Sequence, residues 1–197
     1  SIEAVRQTDP EMELHQVDLS AKAAVKAFAA RLVEEHGRFE VIANNAGRFL
    51  PGELHNEDDD TFEQLMALNL NAGYYLTKGL LGPMIEAQRG TLLNICSTAS
   101  IEAYANGGSY CISKHAQLGL SRVLREELKP HNIRVVSLLP GPTFTASWEG
   151  VQIPEERFLR PKDVAELAWS AYNFPQGSVA EELVLRPMKG NIQAGEF

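Results

Sequence analysis

The chain has 197 residues, of which 44% are hydrophobic and 22% charged, and its formal net charge is -8 at pH 7. This size and composition are typical of one globular domain. The acidic balance and the lack of a Lys/Arg cluster argue against a nucleic-acid partner and against attachment to an anionic membrane. No apolar run approaches the roughly 20 residues of a membrane-spanning helix. We therefore expect a cytoplasmic protein with no nucleic-acid or membrane partner.

The sequence contains no recognisable metal-binding or disulfide motif. Its two cysteines, Cys96 and Cys111, lack a paired metal-ligand spacing, and its five histidines are scattered. We therefore predict two reduced, buried thiols and no metal site. The acidic run at residues 57–60 is interpreted as the solvated start of a helix, where negative charge suits the helix dipole.

Strand and helix patterns alternate along the chain. The first predicted strand covers residues 11–17, and a helix follows with Ser20 as its N-cap and Gly37 just past its end. The apolar stripe of this helix consists of Val25, Phe28, Ala29, Leu32 and Val33.

The alternation continues to the last predicted strand. Further strands are predicted within residues 39–47 and at 91–96, 132–139 and 181–187, and further helices at 58–81, 108–129 and about 162–172. The core stripe predicted for helix 108–129 is Ala116, Leu120, Val123, Leu124 and Leu128. Strands and helices that alternate at this pitch indicate parallel strands with crossover helices on both faces. The predicted fold class is α/β, a doubly wound parallel sheet in a single domain over residues 1–197.

Small or polar residues follow every predicted strand except the last. In chain order these are Asp18, then Asn44 to Gly47, then Ser97, and then the segment 140–145. Ligands of open parallel sheets bind at the carboxyl ends of the strands. The sequence therefore predicts a ligand site at this edge of the sheet.

Two tyrosine–lysine pairs have the four-residue spacing that places both side chains on one helix face: Tyr110 with Lys114, and Tyr74 with Lys78. Thirteen residues before Tyr110 lies Ser97, which ends a predicted strand. Thirteen residues before Tyr74 lies Thr61, which no apolar strand precedes. We therefore assign the chemistry to Tyr110 and Lys114, and place the other pair on a helix surface or a subunit interface.

The ordered motifs resemble those of the classical short-chain dehydrogenase/reductase family. They are "NNAG" at 44–47, "LNLN" with Asn69, "NICS" with Ser97, the Tyr110–Lys114 pair, and "PGPTFT" at 140–145. The resemblance implies a Rossmann-type fold and an NAD(P)-dependent oxidoreductase that transfers a hydride between nicotinamide and a carbonyl or alcohol substrate. It also implies a homodimer or homotetramer.

The resemblance implies roles for individual residues. Its catalytic residues would be Asn69 in a proton relay, Ser97 on the substrate oxygen, Tyr110 as proton donor, and Lys114 on the nicotinamide ribose. Residues that would contact the cofactor are Asp18, Asn44, Ala46, Gly47, Tyr110, Lys114, Pro140, Gly141, Thr143 and Thr145. The cofactor is expected to be NADP or NAD, with NADP preferred.

A physical argument supports the Tyr–Lys pair. A tyrosine has an ordinary pKa near 10, and a nearby cation favours its phenolate. At ~4 Å and an effective dielectric of ~20 the attraction is about 4 kcal/mol before desolvation is subtracted. We therefore expect Lys114 to lower the pKa of Tyr110.

The sequence departs from the family pattern at its start. The phosphate-binding glycine loop is missing, and residues 1–20 resemble the end of the family's second helix followed by its third strand. The chain is thus expected to lack the family's first strand, first helix and second strand. The residue that discriminates NAD from NADP follows that second strand, so the sequence leaves the choice open.

Two functions remain open at this point. The short loop from Phe144 to about Arg157 indicates an open mouth, as in a 3-oxoacyl reductase-like carbonyl reductase. The alternative is a non-catalytic or truncated relative that binds or assembles through helices 58–81 and 108–129. The complete set of four catalytic residues favours the enzyme.

Overall fold

The computed structural model describes residues 9–145, 148, 150, 152–175 and 177–192. Four strands form its sheet: β1 (Val41–Asn44), β2 (Gly90–Ile95), β3 (Ile133–Pro140) and β4 (Glu182–Leu185). Five α-helices accompany them: α1 (Lys22–His36), α2 (Thr61–Met66), α3 (Ala72–Ala87), α4 (Gly108–Leu128) and α5 (Pro161–Tyr172). Residues 1–8, which were predicted to end a helix, lie outside the described part of the chain.

The sheet is parallel throughout, in the order β1-β2-β3-β4. Its register pairs Asn44 with Asn94 and Asn94 with Ser137, so the strands end near one another at one edge of the sheet. This confirms the predicted doubly wound architecture and brings the residues that follow β1, β2 and β3 to a common edge.

Helices cover both faces of the sheet. On one face α3 and α4 pack against β1, β2 and β3, around Met84, Leu92 and Val135. Helix α1 lies outside them, and its Ala29 joins the same cluster. On the opposite face α5 packs through Ala171 against Val136 and Leu138. Successive residues of β3 point to opposite faces and are buried on both, which explains its continuous apolar sequence.

The predicted strand at 11–17 is wrong. This segment has no strand pairing in the described residues, and it packs against α1 instead, with the His15 and Phe28 rings 5.3 Å apart. A strand is stable only when its backbone groups pair with a neighbour, and the sheet offers this segment none.

Ser20 is also not the N-cap of α1. The helix begins at Lys22 after Ala21, and Ser20 instead donates to the Asp18 carboxylate, at 2.9 Å from its backbone nitrogen and 2.6 Å from its hydroxyl.

The helix predicted at 58–81 begins later and ends later. It runs from α2 through a π-helical turn, Ala67–Asn71, into α3, which continues past Pro83 to Ala87. The buried Leu80 and Met84 anchor this last part in the core. Such packing outweighs the hydrogen bond that a proline removes from a helix.

The core stripe predicted for α4 is partly wrong. Leu128 is buried, but Val123 is 54% exposed. The buried face is instead largely polar, and its buried polar members are Ser109, Ser113, Lys114, Gln117, Ser121 and Arg125. None of the described helices is both long enough and apolar enough to cross a membrane.

Candidate active site

Ser97 and Tyr110 meet at the carboxyl end of β2. Ser97 has an extended backbone and begins the short 3-10 helix Thr98–Ser100, with its hydroxyl accepting the Ala99 N–H at 3.1 Å. Tyr110 lies in the first turn of α4, half-buried, with its ring edge-on to Phe49 at 4.9 Å between centroids. The Ser97 side chain lies beside the Tyr110 phenol and acts to lower its pKa. The structure thus joins the two residues that the thirteen-residue spacing had paired.

Lys114 is buried beneath this pair. Only 5% of it is exposed, and its ammonium donates to the Ile95 carbonyl at 3.1 Å and to Gln117 Oε1 at 2.8 Å. Burial lowers the pKa of Lys114 to about 8, because removal from water disfavours the charged form. The sequence analysis did not identify Gln117 as part of the site. Its position one helical turn after Lys114 could have indicated this contact.

The pKa of Tyr110 moves in the direction opposite to the expected one. Burial raises it above its ordinary value, and the hydrogen bond from Ser97 offsets only part of that effect. The expectation gave the attraction of Lys114 a magnitude but not the desolvation that opposes it, and the Lys114 ammonium is directed at Ile95 and Gln117. Tyr110 in this structure is therefore a protonated phenol at neutral pH.

Asn69 links the loop after β1 to α4. Its amide pairs with both backbone groups of Arg48, accepting from the nitrogen at 2.8 Å and donating to the carbonyl at 3.0 Å. It also donates to Ser113 Oγ at 2.9 Å, and Ser113 in turn donates to the Tyr110 carbonyl at 2.8 Å. Asn69 lies in the π-helical turn, a distortion that is frequent at functional sites.

Gly47 completes the cluster. A Cβ on Gly47 would lie 3.4 Å from Asn69 Oδ1 and 3.5 Å from Lys114 Nζ. The "NNAG" loop therefore passes directly over the two residues, with Ala46 and Gly47 exposed. The structure brings together Asn69, Ser97, Tyr110 and Lys114 with this loop, as the sequence predicted.

Asn44 lies below the surface of the site. Its amide nitrogen donates to Thr77 Oγ1 at 2.9 Å and to Asn94 Oδ1 at 2.8 Å. Asn94 donates to Ser121 Oγ at 2.9 Å, which ties β1 and β2 to α3 and α4. The Asn44 side chain thus supports the ends of the strands, and any contact with a cofactor would come from its backbone.

The loop after β3 is held close to β4 and to the segment before α5. Gly141 donates to the Leu185 carbonyl at 2.8 Å, and a Cβ on Gly141 would lie 2.9 Å from Asn191 Oδ1. Thr143 pairs in a short parallel bridge with Leu159, and its hydroxyl donates to the Gly141 carbonyl at 3.0 Å. Pro140 ends β3 and Thr145 is exposed. The predicted contacts of these residues with a cofactor stay predictions.

Asp18 is fully exposed, and the two hydrogen bonds from Ser20 lower the pKa of its carboxyl. Its predicted role at the adenine stays a prediction.

The second tyrosine–lysine pair lies on the surface. Tyr74 is 41% exposed, and Lys78 Nζ lies 5.8 Å from the centre of its ring.

The interpretation of residues 57–60 is wrong for Glu57. Its carboxylate accepts the backbone N–H of Ser109 at 2.8 Å and the Ser109 hydroxyl at 2.5 Å, at the start of α4. This contact spans 52 residues of sequence, and no local pattern signals it.

Both cysteines are free and buried, as predicted. Within the described ranges, Glu13, Glu35 and His36 bring three possible metal ligands together, and all three are exposed.

Comparison with known proteins identifies the family. The family model for short chain dehydrogenases matches residues 1–155. The chain belongs to the short-chain dehydrogenase family. It is 32% identical over 177 residues to sepiapterin reductase of Chlorobaculum tepidum, covering 89% of this chain and 72% of that protein.

Two more relatives agree with this assignment. A putative ketoacyl reductase of the monensin polyketide synthase type from Streptomyces virginiae is 33% identical, covering 72% of this chain. Only 55% of that relative's length is spanned. The crystal structure of a metagenomic short-chain oxidoreductase in complex with NADP is 32% identical, with a TM-score of 0.79, covering 95% of this chain and 82% of that one. The short-chain dehydrogenase described here is an NAD(P)-dependent oxidoreductase.

Proposed function

We propose that this dehydrogenase reduces a carbonyl compound, with Tyr110 as proton donor, Ser97 as the hydrogen-bond partner of the carbonyl oxygen, and Lys114 and Asn69 holding the site in shape. The observation that carries the proposal is that Ser97 lies beside the Tyr110 phenol, with a buried lysine one helical turn along α4, at the carboxyl edge of the sheet. The four residues stand on three segments, because Tyr110 and Lys114 share α4, and the fold brings these segments together.

The residues around the pair fit a nicotinamide dinucleotide. Gly47 leaves the loop after β1 without a side chain next to Lys114 and Asn69, where a Cβ would lie in van der Waals contact with both. Ala46 and Gly47 are exposed at the edge of the sheet where dinucleotides bind. Lys114, Tyr110 and the backbones of residues 44–47 and 140–145 would hold the cofactor. When bound in its reduced form, it supplies the hydride that adds to the carbonyl carbon.

The protein's own residues supply the proton. As the carbonyl carbon gains a hydride, its oxygen gains negative charge and takes the phenolic proton of Tyr110. The Ser97 hydroxyl donates to the same oxygen and stabilises the charge as it develops. Because burial keeps Tyr110 protonated at neutral pH, the site suits reduction. Lys114, one helical turn after Tyr110, would stabilise the tyrosinate that remains, and Asn69 with Ser113 fixes the turn that carries Tyr110.

The substrate class follows from the relatives. Sepiapterin reductase and the ketoacyl reductase are both named for the reduction of carbonyl compounds. Three aromatic rings lie together between β3 and α5. The centroid of the Phe158 ring is 5.6 Å from that of Phe144 and 4.9 Å from that of Trp148. We infer that this apolar cluster lines the substrate site, where it would suit a ketone with an aryl or acyl group. We assign the substrate to activated ketones, which include 3-oxoacyl compounds.

NADP is the proposed cofactor, since the related structure at 32% identity holds NADP.

A homodimer or homotetramer in the cytoplasm is proposed as well. Its support is the row of exposed apolar residues on the helices: Phe62, Ile112 and Val123 are each at least 41% exposed. Light scattering after gel filtration would give twice or four times the mass of the chain. A monomer at micromolar concentration would contradict this part.

Isotope transfer tests the proposed reaction. The protein is incubated with NADPH carrying deuterium at both positions of nicotinamide C4 and, separately, with a vicinal diketone, a 3-oxoacyl thioester and sepiapterin. We expect the alcohol product of at least one compound to carry one deuterium at the former carbonyl carbon by mass spectrometry, and Tyr110→Phe to form none. NADPH that binds while no compound gains deuterium would overturn the proposal.

A further inference from the structure

Glu57 reaches the helix that carries the catalytic tyrosine. One carboxylate oxygen accepts the Ser109 backbone N–H at 2.8 Å and the other accepts the Ser109 hydroxyl at 2.5 Å. Ser109 is only 1% exposed and immediately precedes Tyr110. The carboxylate therefore acts within one residue of the phenol, although it lies on the loop before α2.

Helix α4 lacks a cap of its own. Its N-cap residue is Gly107, no side chain caps it from that position, and its first turn contains no acidic residue. The first N–H groups of a helix need acceptors, and the positive end of the helix dipole favours an anion. Glu57 supplies both from a different segment of the chain.

The surrounding backbone is shaped for this carboxylate. A Cβ on Gly108 would collide with Glu57 Oε1, and a Cβ on Gly52 would lie 2.6 Å from Glu57 Cγ. Gly52 also donates to the Asn106 carbonyl at 3.1 Å and forms a parallel bridge with Gly107. Two glycines thus let the loop and the start of α4 close around one side chain.

We propose that Glu57 is a positioning residue, which fastens the first turn of α4 and so holds Tyr110 against Ser97. Its effect on turnover rests on the proposed function; its effect on the helix does not. A displacement of a catalytic group by about 1 Å can cost up to about a hundredfold in rate. A tether next to the phenol is therefore placed where it controls the geometry of proton donation.

Three variants and two measurements test the proposal. Glu57→Ala removes both acceptors, Glu57→Gln keeps an oxygen for the Ser109 N–H, and Asp59→Ala removes an exposed charge from the same acidic run. Hydrogen–deuterium exchange of peptides covering residues 107–114 reports on the helix start without any substrate. The reduction of a vicinal diketone by NADPH reports on kcat and on KM for NADPH.

We expect Glu57→Ala to speed exchange of the first turn about tenfold and to lower kcat about tenfold, with KM for NADPH changed less than twofold. Glu57→Gln should recover most of both effects, and Asp59→Ala should match the unsubstituted protein. Should Glu57→Ala fail to fold, Ser109→Ala, which removes only the hydroxyl contact, should show a smaller change of the same kind.

Each remaining outcome decides the matter. Exchange in Glu57→Ala equal to that in Asp59→Ala would overturn the tether. Faster exchange with an unchanged kcat would overturn its role in positioning Tyr110. If the unsubstituted protein reduces no carbonyl compound while exchange still rises in Glu57→Ala alone, the proposed function fails and the tether stands.

Discussion

Replacement of Lys114 by methionine should change how the stability of the protein depends on pH. Lys114 is 5% exposed, and burial lowers its pKa from 10.5 to about 8. Below pH 8 the lysine is charged in both the folded and the unfolded chain, so the folded state bears the full cost of a buried ammonium. Between pH 8 and 10.5 the unfolded lysine is still charged while the folded one has lost its proton.

The sign and size of the effect follow from this difference in bound protons. Stability rises with pH wherever the unfolded state binds more protons. A fall from 10.5 to about 8 corresponds to about 3 kcal/mol. Relative to Lys114→Met, the free energy of unfolding of the unsubstituted protein should therefore rise by about 3 kcal/mol between pH 7.5 and 11. Ile95 and Gln117 lose their donor in the variant at every pH, which shifts the curve without changing its slope.

Urea unfolding followed by circular dichroism at several pH values measures this difference. Lys78→Met is the matched control, because Lys78 has the same spacing to a tyrosine but is exposed. Its curve should run parallel to that of the unsubstituted protein. Parallel curves for Lys114→Met as well would refute the reasoning, since they would mean that Lys114 carries no desolvation cost. Lys114→Met should also lose reductase activity.

Two further predictions concern the packing around the site. Gly79→Ala should lower the free energy of unfolding by about 1–3 kcal/mol, because its Cβ would lie 2.6 Å from the Ala29 Cβ. Gly119→Ala, where a Cβ meets nothing within 4 Å, should instead raise the free energy of unfolding by about 0.5–1 kcal/mol. Urea unfolding in which both glycine substitutions change this free energy in the same direction would contradict the packing argument. Asn94→Ala should cost about 3 kcal/mol, because Asn44 loses an acceptor and Ser121 a donor inside the core; a loss under 1 kcal/mol would show that the network carries little stability.

The sheet was readable from the sequence because its strands are buried on both faces. The strands β2 and β3 lie within one residue of the predicted positions, since a run of apolar residues is all that such a strand requires. The segment 11–17, with Met12, Leu14 and Val17 among polar residues, was also predicted as a strand and is not one. Its composition permits pairing, but pairing also needs a neighbouring strand, and that depends on the rest of the fold.

The four residues that we propose as catalytic were readable because each stands at a fixed distance from a strand end or a helix turn. Their supporting contacts were not. Gln117, Ser113 and Glu57 are polar, and a search for apolar periodicity assigns polar residues to the surface. Ser113 and Glu57 have polar partners on other segments, 44 and 52 residues away, and such distances leave no local pattern. Gln117 is buried because it accepts from Lys114 on the buried face of the same helix.

The rise in the pKa of Tyr110 was unpredictable for a related reason. The sequence shows that a lysine lies four residues from the tyrosine, which suggests a lowered pKa. It does not show how deeply the phenol is buried or where the ammonium points. The structure shows that burial acts more strongly than the Ser97 hydrogen bond and that Lys114 has two other acceptors.

The most direct test of the central claim is the rate of carbonyl reduction by Tyr110→Phe beside Tyr74→Phe, with NADPH binding measured by fluorescence. Because Tyr110 supplies the proton, Tyr110→Phe should bind NADPH and lower kcat at least about a hundredfold, while Tyr74→Phe should stay within twofold of the unsubstituted protein. A Tyr110→Phe protein that keeps its full rate would contradict the assignment of the site.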